Sequence, residues 1–199
     1  MNYFKSKYFL LGTIFLFLQL FFVSTSTSFL FEDSLLWFCA HTPLLFAVGF
    51  YLKQYQVIKG LISVGLIAQL GWALDFIASI FGVEILGVTR YVYTLESTAL
   101  MISTIAAHFF GTFLALYFTY KKRIKKKSLV VSVLYGFLVF FTTYFLTEPE
   151  LNINCVFQPC GFGIPYSDFY TVMWPLIAFL VLILPGYYIQ YWLHNMSKD

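Results

Sequence analysis

Six long apolar stretches alternate with short polar segments along the 199-residue chain. Each holds roughly 20 residues or more, enough for a helix to cross a hydrocarbon layer of ~30 Å at 1.5 Å per residue. They lack the strict alternation typical of barrel strands, and backbone groups in lipid must be hydrogen-bonded within their own segment. The pattern therefore predicts an all-α, polytopic bundle of six transmembrane helices, forming one integral membrane domain over residues 1–199. The predicted spans are about 8–31, 34–52, 57–82, 92–120, 128–147 and 169–194.

The positive charges are sorted to one side of this predicted membrane. Of the 12 Lys and Arg residues, all except Arg90 lie before span one, around the turn from span two to span three, between spans four and five, or after span six. Short loops rich in Lys and Arg stay in the cytoplasm. The sequence therefore predicts a membrane protein with both termini cytoplasmic. The basic run from Lys121 to Lys127 is interpreted as a stop signal after span four; contact with acidic headgroups is the alternative.

The composition excludes a soluble domain, since 60% of residues are hydrophobic and 11% charged, against about 25% charged in soluble proteins. The net charge of +3 does not indicate nucleic acid, because membrane topology and anionic lipid explain the basic loops. Membrane lipid is the expected partner, and the oligomeric state stays open. The first apolar stretch resembles a secretory signal, but it lacks an A-x-A cleavage site. We expect it to remain as a span; cleavage would leave five spans and an outside N-terminus.

Three ionisable side chains lie inside the predicted spans, where each is costly and tends to mark function: His41, Asp75 and His108. Counted from the outer face, His41 and Asp75 both lie about 10 Å deep, and His108 lies roughly 16–24 Å along its span. We therefore predict a polar pocket open to the extracytoplasmic side. The alternative is a structural polar cluster that ties the spans together.

The residue types in this pocket favour proton transfer. His108 is the predicted general base, Asp75 its orienting or electrostatic partner, and Thr42 a possible nucleophile beside His41. Two imidazoles and a carboxylate are also a plausible Zn or Fe ligand set. No H-x-x-H or H-x-x-x-H spacing places two ligands on one helix, so neither a metal nor a cofactor is predicted. The residues predicted to bind substrate around the pocket and its outer mouth are Trp72, Thr104, Arg90, Glu96, Asn152 and Asn154.

Two cysteines, Cys155 and Cys160, occupy the predicted outer loop between spans five and six. Because the extracytoplasmic side is oxidising in many cells, a local disulfide across this C-x4-C spacing is the main prediction. A redox-active pair is the alternative, although C-x-x-C would be the stronger signal. Asn152 and Asn154 in the same loop either bond to its backbone or contact a ligand. Cys39, alone in span two, is interpreted as a packing residue.

Short motifs follow one another in a fixed order along the chain: Gln69, Trp72, Asp75 and Phe76, then Gly87, Thr89 and Tyr91, then His108, then Pro149, Asn152, Ile153, Asn154, Val156 and Phe157. This ordered set resembles a family of uncharacterised bacterial six-span membrane proteins. In that family a Q-x-x-W-x-x-D-F stretch precedes a G-x-T-x-Y turn, a span carrying His, and a loop of the form P-x-x-N-I-N-W/Y-V-F/Y-G. The likeness covers roughly residues 45–157, and this chain departs from the family in having Cys155 where Trp or Tyr is usual. The resemblance implies a six-span protein of the bacterial inner membrane and supplies no activity.

A second likeness is architectural. Six spans with Thr42 on the second and His108 on the fourth resemble the androgen-induced family of membrane hydrolases, which cleave fatty-acid esters of hydroxy fatty acids. This is an analogy at the level of fold. Together with the pocket it favours an intramembrane hydrolase or acyl transferase acting on a lipid or another apolar small molecule. A small proton-coupled transporter and a non-catalytic membrane scaffold are the alternatives.

Overall fold

The computed structural model describes residues 6–25, 36–95, 97–161 and 164–197, and within these ranges the chain is helical with no strand. The predicted all-α class is therefore confirmed. Short 3₁₀ turns occur in two loops, and the last helix contains a π-helical segment, Ala178–Ile183. The long helices are α1 Lys7–Thr25, α2 Phe38–Tyr51, α3 Tyr55–Ile80, α4 Thr98–Thr119, α5 Lys126–Leu146 and α6 Asp168–Met196.

Five of these helices are long and apolar enough to cross a membrane, and α2 is shorter at 14 residues. Its length of about 21 Å falls short of the ~30 Å hydrocarbon thickness. The predicted span of 34–52 was therefore too long within the described residues. Span one was predicted to reach residue 31, whereas α1 is described to Thr25 and residues 26–35 lie outside the described ranges.

The start of span four also needs correction. Residues Arg90–Thr94 form a separate 3₁₀ turn, and α4 begins only at Thr98. The reason is a side-chain cap: Ser97 has an extended backbone, and its hydroxyl accepts a hydrogen bond from the Leu100 N–H at 3.1 Å. Such a cap satisfies an N–H group that has no partner within the helix. The other predicted spans agree with their helices to within about two residues at each end.

The helix α3 is the centre of the bundle and packs against α2, α4, α5 and α6, while α1 packs mainly on α2. In its most apolar window 61% of residues are buried, against at most 39% in the other four long helices. The core between α1, α2 and α3 is aromatic: Phe15 stacks on Phe50 with ring centroids 5.4 Å apart and lies 5.3 Å from Phe46. Large apolar side chains cover the outer surface, as expected for helices that face lipid.

Small residues let α3 approach α5 and α6 closely. A Cβ atom built on Gly186 of α6 would lie 3.0 Å from the Cα of Ser63 and closer still to its carbonyl oxygen. A Cβ atom on Gly60 would lie 2.8 Å from the carbonyl oxygen of Ser128 on α5. The Ser132 hydroxyl donates to the Gly60 carbonyl at 3.0 Å across this contact. Small residues and hydroxyl bridges of this kind are how helices associate in lipid.

We expect Gly186→Ala to destabilise the bundle, because the added methyl group meets backbone atoms of α3 that cannot rotate away. Overpacking of this kind costs about 1–3 kcal/mol. Thermal unfolding in detergent, followed by tryptophan fluorescence, measures the effect. The matched control is Gly111→Ala on α4, where nothing lies within 4 Å of the added atom. Equal unfolding temperatures for the two variants would contradict the close approach of α3 and α6.

Candidate functional site

Asp75, near the end of α3, is the most extensively hydrogen-bonded of the predicted site residues. Its Oδ1 accepts the backbone N–H groups of Ile85, Leu86 and Gly87 at 3.1, 2.6 and 3.0 Å. Its Oδ2 accepts the N–H and the hydroxyl of Thr89 at 3.0 and 2.9 Å. The side chain is 1% exposed. Asp75 therefore organises the loop that follows its own helix, and we call residues 82–89 the Asp75 loop.

The predicted pair of Asp75 with His108 is not present. The five donors from the Asp75 loop occupy both carboxylate oxygens, so Asp75 does not orient the histidine. The physical reason is local: successive backbone N–H groups converge in a tight turn, and Gly87 provides a positive φ of 68°. Backbone N–H groups that are removed from water need a hydrogen-bond acceptor, and the Asp75 carboxylate is that acceptor for this loop.

His108, on α4, is buried against Trp72 of α3. The two rings stack with centroids 4.1 Å apart and planes inclined by 22°. Its Nδ1 atom lies 2.9 Å from the carbonyl oxygen of Thr104, and because a carbonyl can only accept, Nδ1 carries the proton. Thr104 thus holds the His108 ring through its backbone carbonyl. The Nε1 atom of Trp72 and the Oε1 atom of Gln69 are buried without a hydrogen-bond partner in the described part of the chain.

His41, on α2, contacts Tyr135, which is not among the predicted site residues. Its Nε2 atom hydrogen-bonds to the hydroxyl of Tyr135 on α5, with the rings 5.9 Å apart at 76°. The Phe38 ring packs on both, and it fills the space above Gly65, where an added Cβ would lie 2.6 Å from its Cζ. Thr42 follows His41, and its hydroxyl donates to the Phe38 carbonyl of its own helix. The described contacts therefore place His41, Asp75 and His108 on different partners.

Tyr135 carries a signal that could have identified it. Most tyrosines of the chain lie near helix ends, where they form an interfacial belt, but Tyr135 lies in the middle of α5 and is 8% exposed. A buried phenol hydroxyl needs a hydrogen-bond partner, and His41 supplies it. Among the described residues, no group of three or more His, Cys, Asp and Glu residues could hold a metal ion.

Arg90, predicted to bind substrate at the outer mouth, pairs with Glu84 instead. Its Nε donates to Glu84 Oε1 at 2.6 Å, and a second bond joins Nη2 to Oε2. The guanidinium lowers the pKa of the Glu84 carboxyl, and the carboxylate raises the pKa of Arg90 in turn. Glu96, its predicted neighbour, lies outside the described residues. A shallow depression of about 210 Å³ beside the pair is lined by Ser79, Gly82, Glu84, Gly87, Thr89, Arg90 and Tyr93.

Asn152 and Asn154 both have left-handed backbones, with φ of 42° and 54°. The Asn152 side chain bonds within its own loop: its oxygen accepts the N–H groups of Phe157 and Gln158, and its nitrogen donates to the Gln158 carbonyl. These bonds hold the loop in a closed turn. Asn152 therefore bonds to the backbone of its own loop, which is one of the two roles predicted for it.

Asn154 links separate elements. Its oxygen accepts the Phe38 N–H at 2.8 Å, at the start of α2. Its nitrogen donates to the Leu36 carbonyl and to the Thr143 hydroxyl of α5 at 2.8 and 3.0 Å. The amide thus uses its oxygen and both hydrogens on protein partners. It joins this loop to α2 and α5.

The predicted disulfide between Cys155 and Cys160 is present, with Cα atoms 5.4 Å apart. Its loop packs on the Asp75 loop, since a Cβ atom built on Gly161 would lie 2.6 Å from the Leu86 carbonyl oxygen. The Tyr170 hydroxyl of α6 donates to the Cys155 carbonyl at 3.0 Å. We call residues 82–95 and 147–161 together the loop cap. It covers the ends of α3 and α5 and the start of α6.

Comparison with known proteins finds no protein-family model, no curated protein and no solved structure that matches this chain. The resemblance carried by the motifs stays a prediction. The assignment of a role to each residue therefore depends on the geometry alone.

We expect Asp75→Asn to loosen the loop cap. The amide keeps the shape of the carboxylate but replaces one acceptor with an NH₂ group that faces N–H donors. Hydrogen bonds to a charged group are worth about 1.5–3 kcal/mol each, so a loss of at least 2 kcal/mol in unfolding free energy is expected. Hydrogen exchange at the amides of Leu86, Gly87 and Thr89 measures the loosening.

The control for this variant is Glu84→Gln in the same loop, which removes an exposed ion pair and leaves the Asp75 bonds intact. Exposed pairs contribute little to stability. Unchanged protection of the three amides in Asp75→Asn would show that the carboxylate does not organise the loop.

Proposed function

We propose that this chain is a bacterial inner-membrane protein with six spans and both termini in the cytoplasm. The packing of α2 supports the sixth span. A 3.1 Å hydrogen bond joins Thr13, near the start of α1, to Tyr51 at the end of α2. The helices therefore form an antiparallel hairpin. At the far end of α1, Thr25 bonds to Ser103 of α4 at 2.7 Å. The start of α3 lies beside the N-terminal end of α1, since Tyr55 packs on Tyr8. This arrangement supports α2 as the segment that returns the chain across the bilayer.

The charges agree with this topology. The Lys122 ammonium lies 5.3 Å above the Tyr55 ring, which packs 5.4 Å from Tyr8. The start of α1, the start of α3 and the basic α4–α5 turn therefore share one end of the bundle. Arg90 lies at the other end and is paired with Glu84. Positively charged short loops favour the cytoplasmic side.

Reporter fusions test this topology. A green fluorescent protein fused after residue 199 is expected to fluoresce, since it folds in the cytoplasm. An alkaline phosphatase fused after Leu151 is expected to be active, because it needs the oxidising outer side. Phosphatase activity at residue 199 would contradict the proposed sidedness.

The role that the geometry favours is that of a non-catalytic membrane scaffold with a rigid extracytoplasmic face. The observation that carries it is the saturation of Asp75 by five hydrogen bonds from one loop. A general base or a ligand-binding carboxylate needs a free lone pair directed at the reacting group. Asp75 directs its oxygens at backbone N–H groups instead. Its role is therefore to fold the loop cap.

The other polar residues predicted for the outer side support the same interpretation. Asn152 and Asn154 direct their polar atoms at partners within the protein. Buried polar groups that are fully paired make a segment rigid and specify one conformation. The loop cap is thus a preorganised surface, and presenting it at the membrane is the proposed function.

A second candidate function, an intramembrane hydrolase or acyl transferase acting on a lipid, is favoured by one observation. His41 hydrogen-bonds to the Tyr135 hydroxyl, and Thr42 lies beside it. An imidazole on a phenol can accept its proton, so Tyr135 or Thr42 would be the nucleophile toward an acyl ester. In this version Tyr135 takes the place of Asp75 as the residue that completes the site. The role of His108 would then be to pack against Trp72.

One assay separates the two functions. The purified protein is tested on fluorogenic fatty-acyl esters, together with the variants His41→Gln, Thr42→Val and Tyr135→Phe. A scaffold gives the protein-free rate in every case. An enzyme gives a rate above background that Tyr135→Phe or His41→Gln lowers by about 100-fold or more, as is usual for loss of an acid or base.

The matched control is Tyr144→Phe, an exposed tyrosine of the same helix. Turnover that is lost in Tyr135→Phe and kept in Tyr144→Phe would exclude the scaffold and establish the enzyme.

A further inference from the structure

Lys59 is a buried cation at the opposite end of the bundle from the loop cap. It lies in the second turn of α3, its side chain is 0% exposed, and its Nζ atom has no hydrogen-bond partner in the described part of the chain. Taking an ammonium group out of water is costly unless the charge is paired. The scaffold role does not use this residue.

Two residues of α6 also have buried polar atoms without a hydrogen-bond partner among the described residues. The Gln190 amide nitrogen donates to the Lys59 carbonyl and the Ser63 hydroxyl at 3.0 and 2.8 Å, and its Oε1 atom is the one left unpaired there. His194, one turn further along α6, is 7% exposed, and its unpaired atom is Nδ1. A polar ligand that supplies both donors and acceptors would complete all three groups.

The charges around these residues select an anion. The carboxylates among the described residues, Asp75, Glu84, Glu148, Glu150 and Asp168, lie in the loop cap or at the ends of α3 and α6 nearest to it. Within the described ranges, therefore, no carboxylate lies at the end of the bundle where Lys59 is buried.

A basic rim, the run from Lys121 to Lys127, lies at the same end of α3 as Lys59. Gln56, one turn before Lys59, fixes the α4–α5 turn: its amide donates to the Arg123 carbonyl at 3.0 Å, and its oxygen accepts from the Lys125 N–H and the Ser128 hydroxyl. The run of six basic residues between Lys121 and Lys127 is thereby held over the start of α3. Such a rim attracts anionic groups in the cytoplasmic leaflet.

We propose that Lys59, Gln190 and His194 bind a phosphate group that carries a neighbouring hydroxyl, the chemistry of glycerol phosphate. The Lys59 ammonium and the His194 ring donate to phosphate oxygens, and the Gln190 Oε1 atom accepts from the hydroxyl. Each unpartnered atom thus gains a partner of matching type. A lipid headgroup and a free phosphate ester share this chemistry. The site lies at the opposite end of the bundle from the loop cap. A failure of this proposal would therefore leave the proposed scaffold role unaffected.

Thermal unfolding of the delipidated full-length protein in a neutral detergent tests the site. Phosphatidylglycerol is added in one series and zwitterionic phosphatidylcholine in another. A third series contains glycerol 3-phosphate, with sodium chloride at equal ionic strength as its reference. We expect phosphatidylglycerol to raise the unfolding temperature of the native chain by about 5 °C near saturation, and phosphatidylcholine to have little effect.

Three variants show whether the rise in unfolding temperature comes from binding at Lys59, Gln190 and His194. Lys59→Met is expected to lose the response and still fold, because it removes an unpaired buried charge. His194→Leu is a second variant, expected to weaken the response, and Lys127→Met, an exposed lysine of the basic rim, is the matched control that keeps it.

A response to glycerol 3-phosphate would identify a free phosphate ester as sufficient, whereas a response to the lipid alone would show that the acyl chains contribute.

Three outcomes would overturn the proposal. The first is an equal response of the native chain to both lipids. The second is a full response in both Lys59→Met and His194→Leu. The third is an equal loss in Lys59→Met and Lys127→Met, which would mean attraction to the basic surface only.

Discussion

The structure depends on one constraint: a polar group that leaves water must find its partner inside the protein. Asp75 shows how completely this can be met, since one carboxylate accepts five hydrogen bonds from the loop that follows its helix. The loop in turn supports the disulfide segment through the contact between Leu86 and Gly161. The order of the loop cap therefore originates in a side chain that belongs to the central helix.

The same constraint explains why a polar residue in a membrane helix is ambiguous when only the sequence is known. A buried carboxylate is costly whether it serves catalysis or holds a loop, so cost alone does not distinguish the two. What distinguishes them is the direction of the lone pairs. In Asp75 they meet backbone donors, whereas the Tyr135 hydroxyl meets an imidazole that can exchange a proton with it. This difference is why the enzyme hypothesis moves from Asp75 and His108 to His41 and Tyr135.

Much of the architecture could be predicted because it follows from length and apolarity. The bounds of α3 and α5 agree with the predicted spans to within about two residues, and the disulfide of Cys155 and Cys160 follows from their spacing in one loop. The start of α4 was missed because a single capping serine, Ser97, decides it. The partners of Asp75 and Asn154 could not be predicted, since they depend on how loops return to helix ends. Hydropathy contains no information on that path.

The two ends of the bundle meet the constraint in opposite ways. At the loop cap, Asp75 and Asn154 are paired within the protein. At the other end, Lys59, Gln190 and His194 each keep an atom without a partner among the described residues. Because α3 carries both Asp75 and Lys59, one helix connects a carboxylate that is fully paired to a cation that is not. A ligand at Lys59 would stabilise the contact between α3 and α6 where Gly186 brings them closest, so its binding energy would act on the bundle itself and leave the hydrogen bonds of the cap unchanged.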